Sequence, residues 1–142
     1  MNEISKTGYW NGETAHIHHV HCKELSNWIC EFLNVKISKD ESIRDLACGL
    51  GNYLKDLQEF GFTNLAGFEA DPPRHKVFNN ILKQDLTIPF TFSPKGVVIS
   101  LECGEHISKK YMNEYLDNIT NNCSNYLIMS WAIRGQAGFG HV

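Results

Sequence analysis

Between Ile43 and Pro72 the chain reads IRDLACGLGNYLKDLQEFGFTNLAGFEADP, and no other stretch limits the fold so tightly. A short apolar strand pattern, Ile43 to Cys48, carries Asp45 and runs into a turn with two glycines, Gly49 and Gly51. Leu54, Leu57 and Phe60 then recur at helical spacing over Asn52 to Phe60, and Gly61 is a natural stop. A second apolar run, Leu65 to Phe68, ends at Glu69. Strand, helix and strand in alternation predict a mostly parallel sheet covered by helices.

The flanking sequence extends the alternation. Upstream, after a polar lead with Tyr9 and Trp10, the residues Ile17, Val20, Leu25, Trp28, Ile29, Phe32 and Leu33 fall on one helical face. Downstream, Ile81 to Lys83 is a short candidate strand, and Gly96 to Leu101 (GVVISL) is a buried one. Ser108 is placed to cap a helix with Met112, Tyr115, Leu116 and Ile119 on its inner face. Tyr126 to Trp131 (YLIMSW) is the last strand expected. The expected fold is α/β: a three-layer sandwich with a doubly wound, mostly parallel sheet. At 142 residues it is a single domain, with a lead and helix over 1–40, a core over 41–131 and a glycine-rich tail over 132–142. Trp28, Tyr115 and Trp131 are expected to serve the core.

A net charge of −3 supplies no basic field for a phosphate backbone, which disfavours duplex nucleic acid as a partner. The five cysteines are scattered without a CxxC, a pattern of reduced thiols. No signal-peptide core and no run of about 20 apolar residues is present. A cytoplasmic protein with no membrane partner is expected.

In such sheets ligands bind beyond the carboxyl ends of the strands, where Asp45, Glu69 and Asp85 all fall. The Gly49–Gly51 turn lets the backbone approach a ligand closely, and the helix behind it offers free N–H groups. A dinucleotide fingerprint would be G-x-G-x-x-G, but Leu54 holds the last glycine position. Asp45 would also repel a pyrophosphate. A nucleoside carrying a cationic sulfonium or ammonium fits better, with Glu69 accepting ribose hydroxyls and Asp85 an exocyclic amine.

From Ile43 to Trp131 the chain resembles the class I (Rossmann-like) S-adenosylmethionine-dependent methyltransferases. The motifs are DLACGLG, GFEAD, KQDL and VVISLECGEHI in order, and SWAIRGQAGFGHV is similar to a loop after strand five in a subset of these enzymes. The resemblance implies S-adenosylmethionine as cofactor. It places Asp45, Ala47, Gly49 and Gly51 around its methionine part, Glu69 on the ribose, and Asp85 and Leu86 at the adenine. Leu101 and Glu102 would line the pocket near the sulfonium. Ala47 stands where glycine is commoner in the family. The family's sheet continues past strand five into an antiparallel hairpin, and this sequence stops at Val142, so the fold is expected to lack those C-terminal strands.

For chemistry the candidates are Glu102, Glu105 and His106, with His141 a second histidine over the same end of the sheet. Methyl transfer needs alignment and desolvation, and for a hydroxyl or amine acceptor one of these groups removes a proton. The bland reading makes Glu105 and His106 braces for the next helix. HIHHVHC (His16, His18, His19, His21, Cys22) would put His18 and Cys22 on one helical face, as metal ligands can be. With no second ligand pair it reads as structural or pocket-lining, and no metal is required. Cys103 and Cys48 read as small buried fillers. The expected function is methyl transfer to an unidentified acceptor, a small molecule or protein rather than RNA. The alternative is a truncated, catalytically inactive methyltransferase-like binding or assembly module. A bare YLIMSW edge would be a liability, so the tail or a second copy of the chain, as a homodimer, is expected to cover it.

Overall fold

A computed structural model describes residues 4–133, 135, 136 and 141. Five parallel strands, β1 (Ile43–Leu46), β2 (Leu65–Glu69), β3 (Ile81–Lys83), β4 (Gly96–Ser100) and β5 (Cys123–Met129), lie in the order β3-β2-β1-β4-β5. The chain winds outward from β1 to β3, returns to β4 beside β1, and winds outward again. This reversal is the switch point where doubly wound sheets hold ligands.

Alternation along the strands sorts the core into two faces. Ile43, Val97 and Ile99 pack against Ile29, Cys30 and Leu33 of α2 (Lys23–Lys36) and Leu54 and Leu57 of α3 (Asn52–Glu59). Leu46, Ala66 and Val98 meet Tyr115 and Ile119 of α4 (Met112–Asn122) on the other side. The expected three layers are present. Among the described residues no helix covers β2 and β3 on the α4 side, where Phe90 and Phe92 lie against Phe68 instead. Asn118 and Asn122, both buried on α4, clamp that loop by accepting the N–H groups of Phe90 and Phe92 and donating to the carbonyls of Leu86, Ile88 and Phe90. Arg44, a charge inside a buried strand, donates to the backbone carbonyls of Ile43 and Asn64 and to the Asn64 side chain at the far end of the sheet from the switch point.

The amino-terminal helix departs from expectation. It is broken into α1 (Ala15–His18) and α2, with an extended residue, Cys22, between them. Ile17 is 67% exposed, Val20 89% and Trp28 53%, so these three leave the apolar face assigned to them. The break has a local cause. His21, Lys23 and Ser26 all converge on the Asp56 carboxylate of α3, at 2.9, 2.8 and 2.6 Å, and a continuous helix would not present them together. Trp28 stacks on Phe32 at the surface instead of entering the core. Tyr115 is fully buried as expected, while Trp131 stays half-exposed with one face on the Tyr115 ring. Ser108 does not cap α4 with its side chain; a 3-10 turn, Lys109–Tyr111, intervenes. The last strand closes at Met129, two residues short of Trp131.

Candidate functional site

At the carboxyl ends of β1, β2 and β4 the structure opens a cavity of about 450 Å³, within the range of roughly 300–1,000 Å³ usual for small-ligand sites. Asp45 at the tip of β1 and Glu69 at the tip of β2 both line it. So do Ala47, Asp85, Leu86 and Leu101. Glu102, Glu105, His106 and His141 close its other end. Of the cofactor and catalytic candidates named from the sequence, Gly49 and Gly51 alone are not among the residues that line the cavity.

Those two glycines serve the turn itself. Gly51 has φ +85°, and a Cβ there would meet Phe78 at 2.6 Å. Gly49 has φ +57°, and the space of its missing side chain is taken by the His19 ring. Its N–H points inward and donates to Glu69 Oε1 at 2.5 Å. Ala47 shares the left-handed conformation at φ +67°. An L-residue held so costs about 1–2 kcal/mol, which explains why glycine suits this position. Glu102 is a second such residue, at φ +48°, tied by its N–H to Ser130 just past the end of β5. Non-glycine residues in this region concentrate at functional sites, and these two flank the switch point.

The electrostatics are those of an acidic hollow. Asp45 is 2% exposed, and burial pushes its carboxyl up to about 7. No hydrogen bond or ion pair among the described residues meets it. Burial pushes Glu69 up to about 8; the Gly49 N–H opposes the shift, and the charges of Asp45 and Asp71 add to it. Asp85 is satisfied internally, accepting from the Thr87 N–H and hydroxyl and from Thr7 at 3.3 Å. Burial lifts the Cys103 thiol to about 12, so it packs as a neutral filler. Cys48 is likewise buried, its thiol raised first by burial.

Sequence reading missed the roof. Thr7, Gly8, Tyr9 and Trp10 lie over the cavity, held by an Ile4–Trp10 bridge and by Gly12 N–H donating to Asp71 at 2.8 Å. The Trp10 ring sits 5.1 Å from both the His19 and His106 rings. Gly8, at φ +102°, passes so close to the His106 carbonyl that no side chain would fit. The available signal was a pair of aromatics stranded in a polar, aperiodic lead. The histidine cluster disperses: His19 lines the cavity and His21 holds Asp56. Because α1 ends at His18 and Cys22 precedes α2, those two do not share a helix.

No protein-family model matches the chain, and no curated protein matches it. Solved structures do. The sugar N-methyltransferase KedS8 from Streptoalloteichus matches with a TM-score of 0.61 at 19% identity, over 82% of this chain and 51% of that one. The magnesium protoporphyrin IX methyltransferase ChlM from Synechocystis, solved with bound SAM, matches at 0.57 and 16%, over 79% and 57%. DesVI from Streptomyces venezuelae matches at 0.54 and 14%, over 89% and 55%. The likeness is one of fold: this chain has the Rossmann-like methyltransferase fold, and it spans about half the length of each of these structures.

Proposed function

We propose that the chain binds S-adenosylmethionine in this cavity and transfers its methyl group to an acceptor held at the Glu102–His141 end. One observation carries the reading. A buried, partnerless carboxyl at Asp45 and the half-buried carboxyl of Glu69, held on the Gly49 N–H, face one hollow across a left-handed turn. Such a site is costly until a cation arrives, and it would repel the pyrophosphate of a dinucleotide. Bound S-adenosylmethionine supplies a methyl group already activated on a cationic sulfur.

The residues divide the work by position. Asp45 meets the ammonium of the methionine part, with Ala47 and the turn behind it. Glu69 keeps one oxygen on the Gly49 N–H and offers the other to the ribose. Leu86 and Phe68 give the adenine an apolar wall, and Asp85 fixes the roof through Thr7. Leu101 packs near the sulfonium. Glu102, Glu105 and His106 surround the acceptor, and a hydroxyl or amine there loses its proton to one of them. The roof over them keeps water from the reaction.

The test is thermal stability with S-adenosylmethionine, S-adenosylhomocysteine, NAD or ATP. At 100 times its dissociation constant a ligand adds about 2.7 kcal/mol. A response to the first two, lost in Glu69→Ala, is expected; no response at millimolar concentration refutes the site. Binding without transfer to any acceptor would make the chain a methyltransferase-like binding module.

A further inference from the structure

The acceptor end of the cavity carries a donor set that cofactor binding leaves unused. Glu105 lies in a 3-10 turn, Gly104–His106, and is 6% exposed. Both its carboxylate oxygens are buried with no hydrogen bond of good geometry among the described residues, and the Glu102 carboxyl and His141 are the charged groups beside it. A brace for α4 would be satisfied by that helix, and this carboxyl is not. Buried polar groups are normally paired, and an unpaired one calls for an explanation. The His106 and His141 rings meet edge to face with centroids 5.1 Å apart. One ligand atom from each of Glu105, His106 and His141 lies within 4.8 Å of the others.

His141 is already set up as a ligand. Its Nδ1–H donates to the Gln136 carbonyl at 3.2 Å, which leaves the lone pair on Nε2. A backbone carbonyl behind one ring nitrogen is the usual way to orient a metal-binding histidine. Two imidazoles and one carboxylate suit the borderline first-row ions and are poor for magnesium or calcium.

We propose that Glu105, His106 and His141 bind one divalent transition-metal ion of the zinc class at the acceptor end of the cavity. Bonds of about 2.0–2.2 Å to a tetrahedral ion put ligand atoms roughly 3.4 Å apart, so the three side chains close by about an ångström on binding. Three protein ligands leave a coordination position open, and all three line the cavity, so that position faces the acceptor. There it would hold a hydroxyl of the acceptor and make it more acidic, so that Glu102 takes the proton and the oxygen takes the methyl group as the sulfur–methyl bond breaks. This last step rests on the proposed function; binding of the ion does not.

The chain, purified without a histidine tag and stripped with chelator, is titrated with Zn²⁺ by calorimetry and with Co²⁺ by visible absorption. One equivalent is expected, with a cobalt spectrum of nitrogen and oxygen ligands. Glu105→Gln and His141→Gln should each weaken binding by more than the 10–100-fold typical of outer-shell changes. Both are checked for wild-type melting in the absence of metal, and His106→Gln replaces either that fails to fold. Absence of stoichiometric binding, unchanged affinity in the variants, or a thiolate charge-transfer band assigning the ion to cysteines such as exposed Cys22 overturns the proposal. Thermal response to S-adenosylmethionine is measured on the same preparations. A response without ion binding refutes this inference alone, and ion binding without a response refutes the cofactor reading alone.

Discussion

Asp45 shows how one side chain sets stability against binding. Its carboxyl is raised from 3.8 to about 7 by burial. Below pH 4 the folded and unfolded chains both hold the proton. Between about pH 4 and 7 the unfolded chain releases it first, so stability falls with rising pH and stays lower beyond. Asp45→Asn removes this penalty, worth at most a few kcal/mol at about 1.4 kcal/mol per pKa unit. The variant is therefore expected to melt above the wild type at pH 8, with the gap shrinking toward pH 5, while losing its response to S-adenosylmethionine. Melting curves at the two pH values check this; superimposed curves would mean that water reaches the carboxyl. Asp45 and Glu69 were legible because strand ends follow from apolar runs. Trp10 and Gly8 were not, since a roof residue is chosen by what lies beneath it and leaves no period in the sequence.

Among the elements, α4 and the α2–α3 pair are fastened by polar clamps as well as by apolar stripes. Asn118 makes three hydrogen bonds to the loop of Phe90 and Phe92. Asn118→Ala strands buried backbone groups at about 1–3 kcal/mol each. A drop in melting temperature of several degrees is expected, read by calorimetry, and a change within error would mean that water replaces the amide. Asp56 acts oppositely to Asp45. Burial pushes its carboxyl up, but Lys23, Ser26 and His21 outweigh this and leave it below its ordinary value. The stability it lends is full above about pH 4 and fades as acid protonates it. Helix and strand identities were readable from spacing, within two residues at most ends. The break between α1 and α2 was not, because the apolar pattern ran straight through it and the cause, Asp56, lies 30 residues from Ser26.

For the whole molecule the alternation of strands and helices was enough to specify a parallel sheet, and the acids at its ends located the cavity. The margin was less legible. Among the described residues β5 pairs only with β4, and its outer edge shows Leu127 and Met129. Tail residues 134, 137–140 and 142 lie outside the described residues. Unpaired strand edges recruit other chains, and we propose that a second copy meets this one. Sedimentation should give a dimer that Leu127→Lys dissociates; a wild-type monomer at high concentration overturns it. Among the described helices none is long and apolar enough to cross a membrane. The lead that crosses above Asp45 and Glu69 lies on the way into the cavity between them. Residues 7–10 are held by the Ile4–Trp10 bridge, by Thr7 on Asp85 and by the Trp10 ring against His19 and His106. On the proposed function, spent nucleoside and its replacement would share this one doorway, and a rigid staple across it would be expected to slow their exchange.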